Sequence, residues 1–123
     1  MRVALDTNAI IYLQKGLWSD DPPSGESLIS VITEIELFSF PGLTNEQQAW
    51  LRRFIDNMNV VGIDEEIKQR AIALRRDHRL KLPDAIIAAT TIRFDAVLYS
   101  NDKRFVGLPS LQHHGLTLRG ETA

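Results

Sequence analysis

Short apolar runs alternate with amphipathic stretches along the chain, and each run stops at a polar cluster. Val3-Ala4-Leu5 ends at Asp6-Thr7-Asn8, Val60-Val61-Gly62-Ile63 at Asp64, and Ala96–Tyr99 at Ser100-Asn101-Asp102. Runs this short, bounded by capping and turn residues, predict buried strands that hand over to helices. Asp6 or Thr7 stands near the cap of a short helix through Ala9–Leu13, and the Gly, Asp, Pro and Ser residues of 15–26 predict a loop. Ser27–Ser30 reads as an extended entry to a helix from Ile32 to Phe40, stopped by Pro41-Gly42. Thr44 caps the next helix, in which Trp50, Leu51, Phe54, Ile55 and Met58 recur at helical spacing. Asp64 opens another, with Ile67, Ala71, Leu74 and His78 along one stripe, so His78 is expected to be packed. Pro83 sits where a helix start tolerates it, and Ala85–Ala89 is apolar nearly all round, as in a helix buried against a sheet. Leu116–Leu118 reads as a fourth strand, after a loop holding His113-His114.

Strands that alternate with helices imply parallel pairing with helices on both faces. The expected class is therefore α/β, a three-layer sandwich around a small, mostly parallel central sheet. The 123 residues are one domain's worth, taken as 1–123. At this length folding buries about two-thirds of the unfolded surface, so the core needs no disulfide or structural metal. Hydrophobic residues at 44% and charged residues at 24% argue against disorder or a fibrous repeat. The absence of cysteine removes thiolate zinc sites, disulfide scaffolds and a cysteine nucleophile together. The longest apolar runs are five residues, too short to span a membrane, and the opening is too short for a signal peptide. A cytoplasmic location is the resulting expectation.

The net charge of −2 hides an asymmetry: residues 1–61 balance at −4 and residues 62–123 at +2. Between Lys68 and Lys81 there are six basic residues and one acid, Asp77. Such a run is either a solvated helix face or a local field that attracts a polyanion.

The acids are the stronger clue. Asp6 and Asp102 stand where strands end, and Glu36 and Asp84 near helix starts. Ligands collect at the carboxyl ends of strands in parallel sheets. Singly, Asp6 and Asp84 can be helix caps and Asp102 a turn former. Glu36, among Ile32, Ile35, Leu37 and Phe38, is expected to face inward more than Glu34. Several carboxylates at one rim would repel one another, and a hard divalent cation would relieve that repulsion. Oxygen ligands without Cys or paired His suit Mg²⁺ or Mn²⁺ rather than zinc. A carboxylate cluster with no candidate nucleophile points to phosphoryl chemistry by a metal-activated water.

Four segments then carry a resemblance. Val3-Ala4-Leu5-Asp6-Thr7-Asn8 resembles the opening strand and D-T-N signature of PIN domains. Ser30–Leu37 is similar to their S-x-x-T-x-x-E-L motif, which selects Glu36 over Glu34. Leu82–Thr90 is similar to L-P-D-A-x-I-A-A-T, and Ser100–Phe105 to [ST]-x-D-x-x-F. Order and spacing agree from Val3 to Phe105, and within that family the chain looks most like VapC toxins of toxin–antitoxin pairs.

The resemblance implies a Mg²⁺- or Mn²⁺-dependent endoribonuclease, usually a homodimer, restrained by a small VapB-like antitoxin. It would act on tRNA, rRNA or mRNA, leaving a 5′-phosphate and a 3′-hydroxyl. By the same analogy Asp6, Glu36, Asp84 and Asp102 hold the metal, while Thr7, Asn8 and Ser100 orient them. Many relatives carry an acid before the last Phe, whereas this chain has Arg104, a planar donor suited to a substrate phosphate. Lys68, Arg75, Arg79, Lys103 and Arg104 are the candidate RNA contacts, of a kind that positions RNA without reading its sequence.

Two other acid-cluster readings fail on the residues. A haloacid dehalogenase-type phosphatase needs an acid two positions after Asp6, where Asn8 stands, and a receiver domain needs an acid beside Asp6. The alternative that stays open is a PIN-like module that binds antitoxin or nucleic acid with little or no nuclease activity. His113-His114 are expected to be bystanders. Trp18, Trp50 and Phe54 are expected to fill the core or a partner groove rather than stack on bases.

Overall fold

The computed structural model describes residues 1–120. Five strands form one sheet: β1 (Arg2–Leu5), β2 (Glu26–Ser30), β3 (Asn59–Val61), β4 (Val97–Tyr99) and β5 (Gln112–His114). Five α-helices join them: α1 (Thr7–Gln14), α2 (Val31–Phe38), α3 (Asn45–Asp56), α4 (Glu65–His78) and α5 (Leu82–Arg93). The strand order is β3-β2-β1-β4-β5, and every pairing is parallel.

Side-chain alternation in the strands divides the core into two layers. Val3, Leu5 and Ile29 point to one face, against Ala9 and Ile10 of α1, Leu37 of α2, and Leu51 and Ile55 of α3. Ala4, Leu28 and Leu98 point to the other, against Ile67, Ala71 and Leu74 of α4 and the Ala85–Ala89 run of α5. Helices on both faces of a parallel sheet make the expected α/β sandwich.

Caps set the helix starts where the sequence places them. Asp6, Ser30, Thr44 and Asp64 accept backbone N–H groups at the starts of α1 to α4, and Thr44 with Gln47 closes a capping box. Arg93 on α5 pairs with Asp64 and Glu66, so α4 and α5 run antiparallel.

Three local expectations are corrected. Ser27–Ser30 is part of a full strand paired to both β1 and β3. The last strand is Gln112–His114 rather than Leu116–Leu118, so His113-His114 lie in a strand and not a loop. An edge strand paired on one side tolerates polar residues, so its sequence shows no apolar run. Leu116 instead fills the core from a loop, and Leu118 bridges Trp18. His78 is exposed, because the stripe through Ile67, Ala71 and Leu74 passes the edge of the core before the last turn of α4. Trp18 is buried with its Nε1–H donated to the Ala9 carbonyl at 2.9 Å, while Trp50 and Phe54 are half-buried and packed together.

Candidate functional site

The chain winds outward from β1 to β3 on one side, then returns to lay β4 and β5 on the other. The order therefore reverses between β1 and β4, where diverging connections leave a crevice at the carboxyl ends. Asp6 follows β1 and Ser100 follows β4, so both stand at that crevice.

Ser100 links them. It is buried, its hydroxyl donates to Asp6 Oδ2, and its Oγ accepts the Asp102 N–H at 3.0 Å. Asp6 Oδ1 accepts the Ala9 N–H at 2.8 Å, so the residue caps α1 while its other oxygen faces Ser100. Its cap role and its place in the cluster are thus compatible. Thr7 donates to Glu36 Oε1 at 2.6 Å, which draws α2 to the same rim. Asp84 lies in the first turn of α5, where Pro83 opens the helix. Asn8 is exposed and makes no side-chain hydrogen bond among the described residues; it faces the neighbouring groove instead.

Electrostatics show the carboxylates in one another's field. Burial pushes the Asp6 carboxyl above the ordinary range; the Ser100 and Ala9 bonds oppose this, and Asp102 and Asp84 add to it. Burial likewise raises Asp84, against the attraction of Arg104, with Asp102 and Glu36 adding repulsion. Asp102 is lowered, chiefly by hydrogen bonds from Arg104. Glu36 is exposed and Glu34 half-buried, the reverse of the expected burial. The rim is open, so Glu36 reaches it without being covered.

Arg104 departs from the expected phosphate contact. It follows Asp102 in a short 3-10 turn, Lys103–Phe105, and its guanidinium folds back over the carboxylates. Nε lies 3.1 and 3.2 Å from the two Asp102 oxygens and Nη2 2.7 Å from Oδ2, while Nη1 lies 3.0 Å from Asp84 Oδ2. That last approach lacks hydrogen-bond geometry, and Asp84 Oδ2 is buried without a hydrogen-bond donor. This is why Arg104 lowers Asp102 while burial still prevails at Asp84.

Hard oxygen donors with one orphaned buried oxygen fit a divalent cation by chemistry. As the side chains stand, no three acids or histidines among the described residues close on a metal ion. The fit therefore requires the carboxylates to close further on one another, with the Arg104 guanidinium, now on Asp102 and beside Asp84, moved aside.

The basic residues divide between two ends of α4. Lys68 pairs with Glu65 near the helix start, while Arg75 and Arg79 lie near the start of α5, which carries Asp84. At 1.5 Å per residue, Lys68 and Arg79 are about 16 Å apart along the helix. Arg75, Arg76, Arg79, Ile72 and Leu80 line a concave surface of about 490 Å³. Lys81, adjacent in sequence, pulls down both Asp84 and Asp102 and so joins this surface to the acidic rim. Lys103 is exposed, next to Arg104 at the start of the 3-10 turn.

Sequence reasoning placed Lys81 only within the basic run, close in sequence to the candidate RNA contacts, and did not single out His113 for the site. His113 Nε2 meets the Ser100 carbonyl at 2.7 Å, backing the residue that ties Asp6 to Asp102. Lys81 was legible as the end of the basic run, three residues before Asp84; no signal existed for the His113 contact. His114 pairs with Asp20 at 3.0 Å, away from the carboxylates. A second groove of about 510 Å³ runs from Thr7, Asn8 and Glu36 past Ile11 and Leu37 to Phe40.

A family model of the PIN domain matches residues 3–110. No curated protein matches the chain. Among solved structures, a toxin–antitoxin complex from Klebsiella pneumoniae contains a chain 32% identical to this one, covering 89% of this chain and 94% of that chain, with a TM-score of 0.72. VapBC-1 from nontypeable Haemophilus influenzae is 25% identical over 94% of this chain and 98% of that chain, with a TM-score of 0.71. VapBC2 from Rickettsia felis, bound to a DNA fragment from their promoter, shares the fold at 19% identity and TM-score 0.76, over 94% of this chain and 98% of that chain.

Proposed function

The chain belongs to the PIN domain family, and on that premise we propose that it is a VapC-like toxin: an endoribonuclease dependent on Mg²⁺ or Mn²⁺. The observation that carries this reading is the gathering of Asp6, Glu36, Asp84 and Asp102 at the crevice between β1 and β4, with burial and mutual repulsion raising Asp6 and Asp84. These four residues would hold the cation. When bound there, Mg²⁺ or Mn²⁺ supplies an acidified water and neutralises charge on the phosphodiester.

The remaining roles fall to the chain's own side chains. Ser100 keeps Asp6 and Asp102 in register, and Thr7 aims Glu36. Arg75, Arg79 and Lys81 bind phosphates of the RNA leading to the rim, and Lys103, exposed beside Arg104, adds a further contact; Lys68, paired at the other end of α4, contributes least. Such contacts make affinity fall steeply with salt. The groove beside Glu36, with Ile35 and Phe40 exposed along α2 and its end, suits a small antitoxin. Residues 1–123 act as a single domain and the working unit is a homodimer. Among the described residues no helix is long and apolar enough to cross a membrane.

The test is cleavage of total cellular RNA by purified protein with Mg²⁺ or Mn²⁺, beside an Asp84→Asn control. Cleavage by the parent alone supports the enzyme. Equal traces from both proteins favour the binding module without nuclease activity.

A further inference from the structure

Arg104 occupies the place that matters most to the proposed site. Its guanidinium meets both oxygens of Asp102 and lies 3.0 Å from Asp84 Oδ2, so one organic cation already spans two of the four carboxylates. Its backbone cannot drift away. The Arg104 N–H donates to Asp102 Oδ1 at 2.9 Å, and the next residue, Phe105, is buried in the core. The side chain is different: half of its surface is exposed, so the guanidinium can swing into solvent without disturbing the fold.

A divalent cation and a guanidinium cannot share the same oxygens. Resting on the function proposed above, we infer that Arg104 is an internal counter-cation of the carboxylate rim, which a divalent ion must displace before it binds Asp84 and Asp102. In the metal-free protein Arg104 balances the repulsion that burial worsens at Asp84. The apparent affinity for a divalent ion is then the intrinsic affinity reduced by the fraction of molecules in which Arg104 has swung out. Arg104 is thus a positioning residue that sets the metal requirement. Unlike an exposed ion pair, which contributes little, this one combines several charge-assisted hydrogen bonds to one carboxylate with contact to a second, partly buried carboxylate.

The experiment is direct titration of the full chain with Mn²⁺ by calorimetry, without RNA. The proteins are the parent, Asp84→Asn, Arg104→Gln, Arg104→Met, and the double variant carrying Arg104→Gln and Asp84→Asn. Gln and Met keep an unbranched stem, two atoms shorter than arginine, while removing the charge, and metal-free melting curves verify that each variant folds. Both single variants should bind Mn²⁺ roughly tenfold more tightly or better, the scale of a charge-assisted hydrogen bond that no longer has to be broken. The double variant should lose that binding. Equal or weaker binding by both folded single variants, with parent binding that depends on Asp84, overturns the counter-cation while leaving the metal site standing. Mn²⁺ binding that never depends on Asp84 overturns both.

Discussion

Replacing Ser100 by Ala removes one hydroxyl that serves two partners at once. The hydroxyl donates to the Asp6 carboxylate and its oxygen accepts the Asp102 N–H at 3.0 Å, and the residue is fully buried. A lost bond to a charged group costs about 1.5–3 kcal/mol and a lost neutral bond about 0.5–1.5. With no solvent at hand to replace them, Ser100→Ala should destabilise the metal-free protein by roughly 2–4 kcal/mol. An unfolding entropy of about 2.1 cal/mol/K per residue over a chain of this length converts that to a fall of ~8–15 °C in Tm. The Asp6 carboxyl should also titrate higher, since the Ser100 bond is the main influence opposing its burial. Urea denaturation and calorimetry at neutral pH measure the first effect, and NMR titration of the Asp6 carboxyl carbon the second. Ser24→Ala, in an exposed loop, serves as the control. A loss below about 0.5 kcal/mol, within the range of ordinary surface substitutions, together with an unmoved Asp6 titration, would refute the linking role of Ser100.

Asp6→Asn tests the sign of the buried charge. Because the folded carboxyl titrates above its unfolded value, the folded protein holds the extra proton between the two values. Stability from this group therefore falls as pH rises through the folded pKa, and the penalty is complete above it. Asn can still cap α1 and bond Ser100, so without divalent ions its stability advantage over the parent should grow with pH and then level off. An advantage independent of pH counts against the assignment. Arg79→Gly addresses strain beside the basic surface: Arg79 ends α4 in the left-handed conformation at φ 57°. Glycine there should raise stability by about 1 kcal/mol. If Arg79 also contacts RNA, retention on immobilised RNA should weaken with a shallower salt slope; gain in stability without loss of retention removes Arg79 from the RNA path.

The order of elements was legible because local chemistry controls it. Asp6, Thr44 and Asp64 announce helix starts by the bonds they make to nearby backbone, and Val3-Ala4-Leu5 and Ala96–Tyr99 announce buried strands by their apolar runs. The motif segments likewise selected four acids and Ser100 from the chain. Gln112–His114 was not legible, since an edge strand is defined by the neighbour it pairs with and not by its own composition. The exposure of His78 and Glu36 depends on where a helix leaves the core, which periodicity along one helix does not contain.

The linear sequence therefore determined the class of fold and the kind of chemistry, carboxylates without thiols beside a basic run. Tertiary structure decided which charges meet. It divided that run, leaving Lys68 with Glu65 while Lys81 reaches into the field of Asp84 and Asp102. It brought Ser100 to Asp6 across 94 residues, and it turned Arg104 from a free donor into a partner of two acids. Coulombic and hydrogen-bond energies depend on distance in space, and only the assembled sheet brings β1, β4 and the start of α5 to one rim.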